Sequence, residues 1–196
     1  MGRLVVSPAG EWLAARCVEG TIQIWHPDTG DHRGELKDYG HWAGPLAAAP
    51  DGTWLATGGG YTVTVWDPAT GDRRHVFDGR HGWINGLVAS PDGSWLAAAT
   101  QRGQVHVWDL ASGDCRSRLT GHDPSVTALA AAPDGCWLAA AASAGTITVW
   151  RPDDPVPVAA MRVDAALTTC IALPDGTGIS AGSAGGAVYT FDVVGR

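Results

Sequence analysis

Lysine occurs once in this chain, at Lys37, and thirteen basic residues face twenty acidic ones. The net charge of -7 has no Lys/Arg cluster to offset it locally, so a phosphate backbone or an anionic lipid surface would be repelled. Neither nucleic acid nor membrane is therefore expected as a partner. Long hydrophobic runs are also missing. No stretch approaches membrane-spanning length, and the amino terminus has no apolar segment of the signal-peptide kind. Cysteine is sparse, with Cys17, Cys115, Cys136 and Cys170 far apart and no CxxC pair. That pattern suggests neither zinc nor a disulfide framework, and it reads as reduced thiols in a cytoplasmic protein.

Charged residues make up only 17% of the chain and hydrophobic ones 45%, which argues against disorder and for a real core. Methionine is scarce at two, whereas Gly (27), Pro (12) and Trp (10) are plentiful. Short strands joined by tight turns need that composition, and no window of about ten residues carries a helical apolar stripe. The fold class expected is all-β.

Internal repetition is the strongest signal. A turn motif begins at Pro8, Pro50, Pro91, Pro133 and Pro174, with gaps of 42, 41, 42 and 41 residues. An aromatic that ends an alternating strand falls at Trp25, Trp66, Trp108, Trp150 and Phe191, with gaps of 41, 42, 42 and 41. Two independent landmarks thus keep one period along the chain. In each unit the Pro-Asp-Gly turn supplies a preset φ and a glycine that tolerates positive φ. A small-residue strand such as WLAAAT (95 to 100) follows, then a β-branched alternating strand such as TVTVW, which suits a pleated surface. A second turn (27 to 31, 68 to 72, 110 to 114) leads to a fourth strand near 33 to 37, 74 to 77, 115 to 119 and 156 to 163. The repeated Trp12, Trp54, Trp95 and Trp137 share the fold's period and read as structural. Nineteen strands are predicted, in units of approximately 1-37, 38-78, 79-120, 121-163 and 164-196.

A period of 41 or 42 residues with PDG, then WLA, then a strand ending in Trp66-Asp67 or Trp108-Asp109, resembles the WD-repeat family. The resemblance extends over essentially the whole chain. It is similar in particular to the Ala- and Trp-rich bacterial arrays that follow a nucleotide-binding switch domain in large signalling proteins. It implies a β-propeller of radially stacked four-stranded blades, and a protein-interaction scaffold or sensor with no catalysis of its own. Some links of the family pattern are missing. Gly-His stands in register only at Gly121-His122, and Glu19, Arg102, Ala144 and Gly185 replace the family's hairpin Asp. The His–Ser/Thr–Asp–Trp network is thus incomplete in every blade, and each absent link forgoes about 1 kcal/mol.

Catalytic motifs are absent from the sequence: no Walker loop, GxSxG elbow, HExxH or calcium loop occurs. The expected innermost strands (GRLVV, AGPLAAA, INGLVAS, VTALAAA, LTTCIAL) hold neither acid nor histidine. His26, His32, His75 and His106 fall on outer strands and turns and read as surface or hairpin residues rather than ligands. No metal and no cofactor is expected.

The resemblance places one rim at the loops before the inner strands and at the hairpins between second and third strands. The candidate partner-binding residues there are Tyr39, His41, Trp42, Arg80, His81, Trp83, Arg102 and His122, because Trp, Tyr and Arg dominate interface hot spots. The competing reading is that Trp42 and Trp83 tuck against a neighbouring blade. Two alternatives to a scaffold stand beside it: a truncated fragment of a larger WD-repeat signalling protein, and a propeller enzyme of quinoprotein or lactonase type. Four complete units and three strands of a fifth predict an open arc, with self-association or completion by further WD blades as the consequence.

Overall fold

Glycine at positive φ closes the turn after each blade's inner strand, at Gly10, Gly52, Gly93, Gly135 and Gly176. In the last four of these turns the preceding Asp accepts the backbone N–H of the residue after the glycine, at 3.0 Å in each case. This is the local chemistry that makes the repeat. A computed structural model describes residues 4–17, 20–37, 44–79, 82–122 and 125–193 of the chain.

Every regular element among these residues is a strand, and the strands form five antiparallel sheets. The first holds β1 (Leu4–Val6), β2 (Leu13–Arg16), β3 (Thr21–Trp25) and β4 (His32–Lys37). The second holds β5 (Leu46–Ala48), β6 (Leu55–Gly59), β7 (Thr62–Trp66) and β8 (Arg73–Asp78). The third holds β9 (Ile84–Ala89), β10 (Trp95–Thr100), β11 (Val105–Asp109) and β12 (Cys115–Leu119). The fourth holds β13 (Val126–Ala131), β14 (Leu138–Ala142), β15 (Thr146–Trp150) and β16 (Ala159–Arg162). The fifth has only β17 (Leu167–Ala172), β18 (Gly178–Ser183) and β19 (Val188–Asp192). Each sheet is a meander in chain order, and the inner strands β1, β5, β9, β13 and β17 of successive sheets pack side by side. The molecule is an open propeller of four blades and a partial fifth.

Each blade has two faces because strand side chains alternate. The forward face, turned to the next blade, carries Trp12, Ala14, Ile22, Ile24 and Leu36 in the first blade, packed on Leu55 and Trp66 of the second. The same scheme recurs between the second and third blades and between the third and fourth. Alanines line these interfaces, and Ala56, Ala97, Ala98 and Ala139 are fully buried. Trp12, Trp54, Trp95 and Trp137 are all buried. The indole N–H of Trp12 donates to the carbonyl of Gly52 in the next blade's turn at 2.8 Å, so this Trp bridges blades.

Two readings of histidines need correction. His106 is buried, not a surface residue, and its ring stacks on Trp108 with centroids 5.6 Å apart. It faces Arg118 across the β11–β12 ladder, on the face turned to the second blade, whose Phe77 stacks on Trp108. His122 is also buried, and it belongs to the fourth blade's interior. Its Nδ1 lies 2.7 Å from the Thr148 hydroxyl, and its ring meets Trp150 edge to face.

Candidate functional site

The hairpins between second and third strands and the connections between blades come together at one rim through main-chain hydrogen bonds. In the second blade the hairpin at Gly60–Tyr61 accepts from Ile84 N at 3.0 Å and from Gly79 N at 2.6 Å. In the third blade Gln101 N donates to Trp83 O at 2.8 Å, and Ser125 N donates to Gln101 O at 2.8 Å. One hairpin residue thus ties the connection entering its own blade to the connection entering the next. Ser143 N on Ser125 O and Ala184 N on Ala166 O repeat the arrangement further along the array.

These ties fix the aromatic side chains of the rim. Trp83 is 36% exposed and meets Tyr61, itself 50% exposed, edge to face with ring centroids 5.9 Å apart. That geometry is favoured by the ring quadrupoles. Arg102, next to Gln101 at the tip of the following hairpin, is exposed. Trp83, and by adjacency Arg102, are therefore brought to the same rim, while His122 is removed from it into the blade. Tyr39, His41, Trp42, Arg80 and His81 lie outside the described residues.

Two residues of this rim escaped the sequence reading. Tyr61 occupies the hairpin place that Arg102 holds one blade later, and the one-residue shortening of that hairpin hid the correspondence. An aromatic at a hairpin tip beside a Pro-free, Gly-rich strand end was the available signal. Ser125 is the one non-glycine described residue with positive φ, at 65°. Its backbone is held there by its bonds to Gln101 and Ser143, a cost that sites of recognition often carry.

The links that the repeats keep within each blade are partial. In the second blade the indole N–H of Trp66 donates to the Thr57 hydroxyl at 3.0 Å. In the fourth, Trp150 turns its N–H to the backbone carbonyl of Thr120 at 3.0 Å, since His122 already engages Thr148. The indole is satisfied in both, by different acceptors.

The opposite rim carries the Pro-Asp-Gly turns and ion pairs. Arg116 binds both carboxylate oxygens of Asp153, with Nη2 at 2.9 Å from Oδ2, and Arg74 binds Asp67 at 2.6 Å. The carboxylate of Asp67 is held below its ordinary range first by that Arg74 hydrogen bond. Among the described residues no group of three or more His, Cys, Asp or Glu is placed to hold a metal ion. No helix there is long and apolar enough to cross a membrane. Among the described residues no disulfide joins Cys17, Cys115, Cys136 or Cys170.

The family model described as WD domain, G-beta repeat matches residues 36–67, 71–109 and 113–151, more than half of the chain. No curated protein matches the chain.

Proposed function

Because this chain belongs to the WD-repeat family, we propose that it is a protein-interaction scaffold without catalysis of its own, and that its partner docks on the rim formed by Tyr61, Trp83 and Arg102. The exposed Tyr61–Trp83 pair carries this reading. Two large rings are held in a fixed mutual orientation by main-chain bonds on both sides, so little entropy is lost when a partner covers them. Arg102 beside them adds a planar cation suited to a carboxylate or an aromatic face. The inner strands β1, β5, β9, β13 and β17 contain no acid or histidine, which supports binding over hydrolysis or redox chemistry. A cytoplasmic location and a role in signalling accompany the proposal.

Affinity capture with the full chain as bait tests it. Proteins retained by wild-type bait and by an opposite-rim variant, Arg116→Ala, are expected to be lost with Tyr61→Ala/Trp83→Ala. Equal recovery by all three baits would refute the rim.

A further inference from the structure

The outer strands of the four complete blades are sheet edges, and one of the four differs in chemistry. β4, β8, β12 and β16 each pair on one side only, opposite the packed inner strands. The residue just before the pairs Gly34–Ile24, His75–Val65 and Ser117–Val107 is an arginine, Arg33, Arg74 or Arg116. Each is exposed, and their guanidiniums are anchored to the Glu11 carbonyl, to Asp67 and to Asp153 in turn. A charge so placed keeps an edge from pairing with another chain. In the fourth blade the residue before the Ala159–Val149 pair is Val158, 46% exposed. Exposed Ala160 follows it, where the other blades carry Glu35, Val76 and Arg118. Val76 is 58% exposed although its blade has a neighbour on either side, so exposure at this position belongs to the outer edge itself.

The chain presents this edge in extended form. Pro155 and Pro157 fix φ at alternate residues and bias Asp154 and Val156 away from the helical region. Pro157 also seats against the connection that enters the blade, since a Cβ on Gly121 would lie 3.1 Å from its ring. Val156, 63% exposed, and Val158 lead into β16. Val163 N donates to Gly145 O at 2.9 Å, so alternation turns the main-chain groups of Ala160 and Arg162 away from β15 and out of the sheet. Arg162 is exposed, and its guanidinium makes no hydrogen bond or ion pair with a described residue.

We propose that β16 is a docking edge, to which an extended segment of a partner protein adds as a further antiparallel strand. The main chain of that segment pairs with Ala160 and Arg162. Its β-branched apolar side chains cover Val158 and Ala160, and a carboxylate meets Arg162. Main-chain bonds give such an addition its affinity, and the side chains on alternate positions give it specificity. A second copy of this chain is a poor occupant. Two copies of net charge -7 repel, and a four-residue strand buries far less than the roughly 1,200 Å² of a stable interface. The edge shares no residue with the rim of Tyr61, Trp83 and Arg102, so either can fail without the other.

The test titrates full chain into a fluorescently labelled synthetic peptide, Thr-Glu-Thr-Val-Thr-Val-Thr, blocked at both ends. Antiparallel addition sets its Glu opposite Arg162 and its two Val opposite Ala160 and Val158. Saturable binding is expected below about 1 mM. Val158→Arg restores the residue of the other outer edges and is expected to weaken binding at least about tenfold with an unchanged far-ultraviolet spectrum. Exchange of Glu for Lys in the peptide is expected to weaken binding, and Arg162→Glu to recover it. Tyr61→Ala/Trp83→Ala is expected to bind the peptide as the wild type does. Should Val158→Arg fail to fold, Ala160→Lys takes its place. No saturable binding by the wild type, or equal binding by the edge variant, would overturn the proposal. Loss of binding in the rim variant alone would overturn it too, by moving the peptide to the rim. Sedimentation that finds the chain alone dimeric and Val158→Arg monomeric would overturn it by assigning the edge to a second copy.

Discussion

Nδ1 of His122 stands 2.7 Å from the hydroxyl of Thr148, inside the fourth blade and under the edge of Trp150. The pair joins the connection entering the blade to its third strand. Its loss leaves a buried polar group, which costs more than the bond itself contributes. His122→Ala is expected to lower stability by about 1–3 kcal/mol and Thr148→Val by about 1 kcal/mol. A urea double-mutant cycle checks the linkage: a coupling near zero would mean that the two act separately.

Equivalent leucines should differ in cost according to the cover that their neighbours give. Leu55 is fully buried beneath the first blade, whereas Leu13 is half-buried. Leu55→Ala is expected to cost about 2–5 kcal/mol and Leu13→Ala less than about 1.5 kcal/mol. Comparable denaturation midpoints for the two variants would contradict the lesser burial of Leu13.

Acid should loosen the turns first. Asp92 is lowered from 3.8 to about 2, foremost by the Ser90 side chain and then by the Ser94 amide. A carboxylate with a depressed folded value contributes stability in full above its unfolded value and loses it as pH falls through the folded one. That window runs from about pH 4 to about pH 2. Asp51 shifts in the same direction, through the Thr53 amide. Urea midpoints measured across this range should fall in the wild type and fall less in Asp92→Ala, and parallel curves would show that Asp92 is not a source.

Thiol labelling should sort the cysteines by burial. Cys115 and Cys136 are exposed, while burial pushes the Cys170 thiol up to about 12. A disulfide reagent at pH 8 is expected to modify the two exposed thiols rapidly and Cys170 only in denaturant. Rapid native labelling of Cys170, read by peptide mass, would contradict the fifth blade's packing on the fourth.

Much of this architecture was legible because period and alternation are properties of local sequence. Turn landmarks at Pro50, Pro91, Pro133 and Pro174 set the blades, and strands such as TVTVW and TITVW matched β7 and β15 residue for residue. Burial of a particular side chain was not legible, because it depends on the neighbour. His122 carried a family position but no sign of whether its ring faced solvent or Thr148. Tyr61 was passed over because a shortened hairpin broke the register. The weak strand AVYTF read as a poorer copy of the others, yet its Thr190 faces Ser180 with the hydroxyls 3.0 Å apart, where the other blades pair Ala with Ile or Val. That difference emerges only when the face each residue occupies is known.

The rim makes the sharpest claim about function. Tyr61 and Trp83 touch each other edge to face, and both remain substantially exposed. The bond that places Trp83 is made by its main-chain oxygen to Gln101 N, so truncating the side chain leaves the connection in place. Folding should therefore change little, by less than about 1 kcal/mol for Trp83→Ala, as for surface substitutions generally. Binding is a different matter, because a partner that covers the pair desolvates two large rings at once. Tyr61→Ala/Trp83→Ala is expected to weaken partner affinity by about 2 kcal/mol or more, and Arg102→Ala by a smaller amount. Titration calorimetry against a captured partner, with urea denaturation of the same variants, separates the two effects. Affinity unchanged with folding intact would return Tyr61 and Trp83 to a purely structural role, whereas a large loss of stability would show that they hold the second and third blades together.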